Sequence, residues 1–311
     1  MTSIPLLLAL LGTAPRVDDP ERVGPMVTAL TEAPDGSGWL RGSQAGVVFR
    51  SSRDGRERDV PTSLDHVLAL VFSPDGSTLA IAGGSPAESG AVELRAWPSG
   101  DLVGRLDGHA DTVHDVIWLD GGKGLATAGA DRVVRVWDAA TRREVAPLEG
   151  HSGPVLALAA TPDGEGFCSG GADATIRVWE PGPWRSVRSL NNHLGPVHAL
   201  AFRPVQPGGR PATLASAGGD STVRIWQPGI GRMVRIVRLP SPVLGLAWTP
   251  DGSRLLAGAK DGRLRTIDGD SDAVHGEQSV AAGQVKSLSP SRQAGKVLVG
   301  TSTGIATMQA H

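Results

Sequence analysis

Three sets of residues that could support acid–base chemistry recur along the chain at matched spacing. Each set contains a histidine, a serine or threonine, an aspartate and a tryptophan: His109, Thr127, Asp131 and Trp137; His151, Ser169, Asp173 and Trp179; His193, Ser216, Asp220 and Trp226. A histidine placed between a carboxylate and a hydroxyl is the combination used in Ser-His-Asp nucleophilic catalysis. The residue types would therefore suit a catalytic triad.

Their recurrence favours a structural role. One active site does not need three copies, whereas a satisfied buried polar network rigidifies a fold. The chain has no Gly-x-Ser-x-Gly elbow and no evident pair of catalytic carboxylates. Glycine-rich turns such as Gly218-Gly219 lack the strand-to-helix context of a phosphate-binding loop. We therefore expect a protein that is not an enzyme.

The elements that must position these residues are short strands. A Val-x-x-Leu/Val pair recurs seven times, beginning at Val27, Val67, Val113, Val155, Val197, Val243 and Val285. Each copy leads through a turn, often Pro-Asp-Gly, into a strand of small residues, then an alternating strand and a fourth apolar stretch. Four strands in roughly 42 residues make one blade of a β-propeller. The 42 glycines and 23 prolines fit such frequent turns.

The central copies carry a more specific pattern. Gly108-His109 precedes Trp137-Asp138, and the same pairing recurs as Gly150-His151 with Trp179-Glu180 and as Asn192-His193 with Trp226-Gln227. With these motifs the chain resembles the WD-repeat family of β-propellers. The resemblance implies an all-β, closed seven-bladed propeller of four-stranded antiparallel blades, in a single domain over 1–311. The expected blades are 24–60, 61–106, 107–148, 149–190, 191–238, 239–281 and 282–311, with six blades as the alternative.

The resemblance also implies that each set named above forms a buried hydrogen-bond chain within its blade. The outer copies depart from this pattern. The sixth has Leu239 and Ile267 in place of the histidine and tryptophan, and the seventh has Thr303 and Thr307 in place of the aspartate and tryptophan. The second has Trp97, no matching histidine and a long turn over 85–90.

The N-terminal apolar stretch has two interpretations. Residues 4–12 align with the fourth strand of the other copies, so we expect them to complete the last blade and close the ring. The same stretch resembles the apolar region of a signal peptide, although no basic residue precedes it. It is too short to span a bilayer.

The resemblance implies a platform that binds a protein or peptide partner through residues of its upper face. The positions assigned to that face by register are His66, Leu68, His114, Leu156, His198, Leu244, Lys260 and Lys286. The set is mildly basic and apolar, so a partner with hydrophobic side chains and some negative charge would suit it. Three of its histidines could bind zinc if they converged, but they are distant in sequence, and we expect neither a metal nor a cofactor.

The amino-acid composition indicates which ligands, compartment and source to expect. The chain has 30 basic and 32 acidic residues and a net charge of −2, with no basic run, so we expect neither nucleic-acid nor membrane binding. A single cysteine, Cys168, fits a reducing, cytoplasmic compartment, and the scarcity of lysine favours a bacterial source. The expected protein is a monomeric propeller within a hetero-complex. The alternative is a propeller hydrolase or lyase with its site in the central channel.

Overall fold

The structure is a computed structural model that describes residues 26–205, 211–280, 283–291 and 295–309, with Gln309 described by its backbone alone. The predicted closing strand, residues 4–12, lies outside the described residues, as do residues 13–25 and 206–210.

The described strands, numbered in chain order, form seven antiparallel sheets in sequence. Blade 1 has β1 (Ala29–Glu32), β2 (Gly38–Ser43), β3 (Gly46–Ser51) and β4 (Glu57–Val60). Blade 2 has β5 (Val67–Phe72), β6 (Thr78–Ser85), β7 (Ser89–Ala96) and β8 (Leu102–His109). Blade 3 has β9 (Val113–Leu119), β10 (Gly124–Gly129), β11 (Val134–Asp138) and β12 (Glu144–Leu148). Blade 4 has β13 (Val155–Ala160), β14 (Phe167–Gly171), β15 (Ile176–Glu180) and β16 (Arg185–Leu190).

The last three blades follow the same order. Blade 5 has β17 (Val197–Phe202), β18 (Leu214–Gly218), β19 (Thr222–Gln227) and β20 (Arg232–Arg238). Blade 6 has β21 (Val243–Trp248), β22 (Arg254–Ala259), β23 (Arg263–Asp268) and β24 (Val274–Ser279). Blade 7 has β25 (Val285–Pro290), β26 (Lys296–Thr301) and β27 (Gly304–Gln309) within the described residues. Seven sheets arranged in this way confirm the predicted all-β propeller.

The repeated valines hold neighbouring blades together. All seven have no exposed surface. Four of them, Val27, Val67, Val197 and Val285, pack on a glycine in the second strand of the preceding blade, where a larger residue would not fit. A Cβ at Gly170 would lie 2.6 Å from Val197, and a Cβ at Gly258 would lie 2.3 Å from Val285. Val27 packs in the same way against Gly300 of blade 7. The small-residue strands of the sequence are thus the surfaces that accept these valines.

Contacts between blades 1 and 7 complete the ring. The Val27 amide donates to the Thr301 carbonyl at 3.1 Å. Val27, Leu30 and Leu298 form a buried apolar cluster across the junction. The first and last blades therefore meet through their inner strands, by the same kind of packing that joins the other blades.

Three local predictions are wrong. Arg95, not Trp97, occupies the tryptophan register of blade 2, since Arg95 pairs with Leu79 as Trp137 pairs with Leu125. In blade 7 that register belongs to the buried Met308 and not to the exposed Thr307, because the β26–β27 turn is one residue shorter than in blade 3. A one-residue change exchanges the two faces of a strand. The predicted turn 85–90 is also shorter, because β6 and β7 extend to Ser85 and from Ser89.

The helical content of the described residues is limited to two 3₁₀ turns, Asp120–Gly122 and Pro228–Ile230. In that part of the chain, no helix has the length and apolar character needed to cross a membrane.

Candidate functional site

Each of the three recurring residue sets forms one continuous hydrogen-bonded chain. In blade 4, His151 Nδ1 lies 3.0 Å from Asp173 Oδ2, and His151 Nε2 lies 2.8 Å from Ser169 Oγ. The Trp179 indole N–H donates to the same hydroxyl at 2.8 Å. Blades 3 and 5 repeat these contacts with His109, Asp131, Thr127 and Trp137, and with His193, Asp220, Ser216 and Trp226.

The geometry of these chains opposes catalysis. Thr127, Ser169 and Ser216 have no exposed surface, and each hydroxyl is held between an imidazole and an indole. A nucleophile must reach its substrate, and these hydroxyls cannot. The chains instead satisfy buried polar groups and tie the connection from the preceding blade, which carries the histidine, to the second and third strands of the next blade.

Burial and hydrogen bonds set the protonation of the chains in blades 4 and 5. Burial is the largest influence on His151 and His193 and lowers the pKa of each, against the opposing effect of the paired aspartate. Burial also acts to raise the pKa of Asp220, but hydrogen bonds from the Leu194 amide and Thr222, with the nearby His193, lower it to about 2. In blades 4 and 5 the chains are therefore neutral histidines bonded to ionised aspartates near neutral pH.

A glycine immediately precedes the aspartate turn wherever the histidine is present, because the His–Asp pair lies against the backbone there. A Cβ at Gly171 would lie 2.5 Å from Asp173 Oδ1 and 2.6 Å from His151 Nδ1. Blades 6 and 7 lack the histidine and carry Ala259 and Thr301 at this register. Gly83 of blade 2 occupies the same register without a histidine, so the buried pair requires the glycine but the glycine alone does not identify the pair.

Two blades without the chain use buried ion pairs. In blade 6, Arg265 is 2% exposed and contacts Asp261 at 2.7 Å and Glu277 at 2.8 Å. In blade 2, Glu93 is 1% exposed and contacts Arg95 at 2.6 Å. Arg265 and Glu93 share the strand register of Arg135, Arg177 and Arg224 in the blades that have the histidine chain.

The central channel opens at its upper end into a cavity of about 560 Å³. The residue after each repeated valine lines it: Thr28, Leu68, His114, Leu156, His198, Leu244 and Lys286. In blades 2 to 7 this residue is passed over by the strand pairing and forms a β-bulge. A bulge redirects a side chain away from the sheet face. The bulge therefore explains why one residue of each inner strand faces the channel. We call this cavity and its lining the upper mouth.

Seven of the eight residues assigned to the upper face line the upper mouth. Six of these seven directly follow a repeated valine, and the seventh is Lys260, which is exposed. His66 is the exception: it lies outside this lining, and its Nδ1 is buried without a hydrogen-bond partner. Gly219, Pro242 and Gln284 complete the lining. No acidic residue is among the described residues that line it.

Comparison with known proteins explains the repeated geometry. The family described as WD domain, G-beta repeat (WD40) matches residues 100–138, 142–180, 184–227 and 233–268, which together make up half of the chain. The chain belongs to the WD40 family. Each matched segment starts at or near the outer strand of one blade and ends in the third strand of the next, so the sequence repeat of this WD40 propeller straddles two blades.

Two relatives match a smaller part of the WD40 chain. A 90-residue segment is 34% identical to the Intraflagellar transport protein 122 homolog of Danio rerio, and covers 26% of this chain and 7% of that protein. WD repeat-containing protein 1 of Xenopus tropicalis is also 34% identical over 90 residues, which cover 27% of this chain and 14% of that protein. The chain thus matches a small fraction of the length of either relative.

One ionisable residue of the inner strands was not predicted from the sequence. Asp115, next to His114, accepts hydrogen bonds from the amides of Val116 and Leu158, both at 2.8 Å. It bridges β9 of blade 3 to β13 of blade 4, and burial raises its pKa to about 7. At the same register other blades have Ala69, Ala157, Ala199, Gly245 and Ser287, so an acid among small residues was the available signal.

We expect Asp115 to make stability depend on pH. The native carboxyl keeps its proton to about pH 7, whereas the unfolded one loses it near 3.8, so the unfolded state binds fewer protons between these values. The free energy of unfolding should therefore fall as pH rises through this window. The free energy of unfolding of the wild type should be lower at about pH 8 than at about pH 5 by an amount on the order of 1 kcal/mol or more, measured by urea denaturation. Asp115→Ala should remove this difference. The exposed Asp59→Ala is the control, and equal slopes in all three proteins would refute the assignment.

Metal and thiol chemistry among the described residues of the WD40 propeller would require a cluster of ligands or a reactive cysteine. Within the described ranges, no cluster of three or more His, Cys, Asp or Glu side chains could hold a metal ion. Cys168 lies fully buried in β14, where burial raises its thiol pKa. A thiol in that position is part of the core and not a nucleophile.

Proposed function

We propose that this protein is a non-enzymatic interaction scaffold that binds a protein or peptide partner at the upper mouth, as a subunit of a larger complex. WD40 propellers are typically protein-interaction scaffolds, and this chain belongs to that family. The observation that carries the proposal is the ring of seven post-valine residues around one open cavity. A rigid ring that presents one variable side chain per blade suits recognition, because the scaffold pre-organises the contacts.

The chemistry of the upper mouth supports a partner with apolar side chains and negative charge. Leu68, Leu156 and Leu244 supply apolar surface, and Lys260 and Lys286 supply positive charge. Each leucine is partly exposed, so a partner side chain could remove apolar area from water. Opposite charge would align the partner and exclude basic competitors.

Further properties are part of the same proposal. We place the protein in the cytoplasm of a bacterium, as a monomeric propeller within its complex, in agreement with its single buried cysteine and low lysine content. Its net charge of −2 supports a protein partner over a nucleic acid or an anionic membrane. The buried hydroxyls of the histidine chains favour binding over hydrolysis.

An affinity pull-down from the native organism, read by mass spectrometry, tests the proposal. The variant Leu156→Glu, His198→Glu, Leu244→Glu puts three acids into the upper mouth and should lose the partner that the wild type retrieves. The matched control is Leu102→Glu, Val145→Glu, Val274→Glu on the outer strands, where the side chains are 53%, 56% and 44% exposed. Loss of the partner from the control but not from the mouth variant would overturn the proposal, given equal melting temperatures.

A further inference from the structure

The lining of the upper mouth alternates around the ring. The post-valine residues of blades 2, 4 and 6 are Leu68, Leu156 and Leu244, whereas those of the odd-numbered blades are Thr28, His114, His198 and Lys286. Apolar and polar side chains therefore alternate from blade 1 to blade 7, and the two polar residues Lys286 and Thr28 are neighbours where the ring closes. A ligand at the upper mouth meets both kinds wherever it lies.

Positive charge is concentrated on one side. Lys260 and Lys286 come from blades 6 and 7, and His198 comes from blade 5. Within the part of the chain that the structure describes, neither lysine lies within 4.0 Å of a carboxylate. Two ammonium groups with no acidic neighbour form a site for an anion, since opposite charge at short range is favourable in a partly enclosed cavity.

The two histidines of the cavity differ in their bonding. His114 Nδ1 lies 2.9 Å from the Val155 carbonyl, which fixes its ring. His198 has no hydrogen bond to a described residue, and its Nε2 would lie 3.5 Å from a Cβ at Gly219. His198 is therefore the imidazole that remains available to a ligand.

The surroundings of His198 keep it neutral. Leu156 and Leu244 flank it from β13 and β21, and Lys286, Lys260 and His114 are the other charged or titratable groups of the lining. Asp220, beyond Gly219, is engaged by His193 and Arg224. Burial and the Lys286 ammonium lower the pKa of His198. An anion that offsets Lys286 would reverse the second effect.

We propose that the upper mouth is a carboxylate-binding site, in which an aspartate or glutamate side chain of the partner lies among Lys260, Lys286 and His198 while apolar side chains of the same peptide contact Leu156 and Leu244. This inference rests on the proposed function and specifies its ligand. On the side of blades 4 to 7 the ring favours one acidic side chain between apolar ones over a long acidic run, because Leu156 and Leu244 flank His198 and Leu244 separates it from Lys286.

Proton uptake by His198 follows from this arrangement. The bound carboxylate stabilises the imidazolium, so the complex holds a proton that the free protein lacks between the two pKa values. By linkage, affinity rises as pH falls through that interval and levels off once the free histidine is also protonated. The proton comes from solvent.

Nuclear magnetic resonance on protein with labelled histidines tests the proposal with two probes, acetyl-Leu-Glu-Leu-amide and acetyl-Leu-Gln-Leu-amide. We expect the glutamate peptide to bind more tightly, to raise the pKa of His198 and to bind better at about pH 6 than at pH 8. Lys286→Gln should weaken its binding roughly fivefold or more. Lys123→Gln, at an exposed lysine outside the cavity, should change nothing.

Several results would overturn the carboxylate assignment. They are equal binding of the two peptides, no binding of either at millimolar concentration, an unaffected His198, or tighter binding of acetyl-Leu-phosphoserine-Leu-amide, which would indicate a phosphate site. If the pull-down partner still depends on the upper mouth in such a case, the carboxylate assignment alone fails. If the partner does not depend on the upper mouth, the proposed function fails. Melting temperatures of the variants establish that each is folded.

Discussion

Trp226→Ala should lower the free energy of unfolding by about 3–5 kcal/mol, measured by urea denaturation. Trp226 is 1% exposed and is the largest fully buried side chain of the described residues. It packs with Leu200 and Leu214 between blades 4 and 5, and its indole N–H donates to Ser216 at 2.8 Å. Alanine leaves a cavity at that junction and removes one donor. Total stability of most domains is about 5–15 kcal/mol, so loss of the cooperative transition would be the extreme form of this result.

Trp226→Phe separates packing from hydrogen bonding. Phenylalanine keeps most of the ring volume and removes the N–H donor, while the Ser216 hydroxyl keeps its contact with His193. We therefore expect a smaller loss, about 1–3 kcal/mol. Equal stabilities of the alanine variant and the wild type would contradict the placement of Trp226 in the core.

His151→Ala should cost about 1–3 kcal/mol, because it leaves the buried Ser169 hydroxyl and Asp173 without their central partner. A double-mutant cycle with Ser169→Ala should show a coupling energy of about 0.5–3 kcal/mol. The native pKa of His151 is lowered, so below about pH 6.5 the unfolded state binds more protons than the native state. The free energy of unfolding of the wild type therefore decreases as the pH is lowered. The alanine variant should lose part of this dependence.

His275→Ala is the control for His151→Ala. His275 has a 45% exposed side chain that contacts Asp268 at 3.3 Å, so its loss should change stability little. A coupling energy of zero between His151 and Ser169, together with an unchanged pH dependence, would show that the buried chain does not stabilise the blade.

The blade repeat could be predicted from the sequence because the residues that produce it are close together along the chain. The buried valines, the small residues beneath them and the aspartate turns each recur at fixed offsets, and the strand pattern follows from them. The seven post-valine positions could be placed at the upper mouth by register once the repeat was known. Their direction toward the channel depends on the bulge, which is a property of strand pairing that no single residue type encodes.

Other features depended on turn length and tertiary contacts. The one-residue shortening of the last hairpin placed Met308 where Thr307 was expected, and Trp97 looked like a signature residue although it packs against Phe49 and Phe72 beyond the end of β7. The buried ion pairs of Arg265 and Glu93 involve side chains whose partners are known only from the fold. Asp115 was missed because its role requires the neighbouring blade.

Binding of the purified partner, once retrieved, tests the central claim of an upper-mouth interaction surface most directly. Titration calorimetry would compare the wild type, the variant Leu156→Glu, His198→Glu, Leu244→Glu, and the outer-strand control. We predict a loss of affinity of roughly a hundredfold or more for the mouth variant, and no change for the control, because buried contacts at the centre of an interface dominate its energy. Unchanged affinity of a folded mouth variant would contradict the claim.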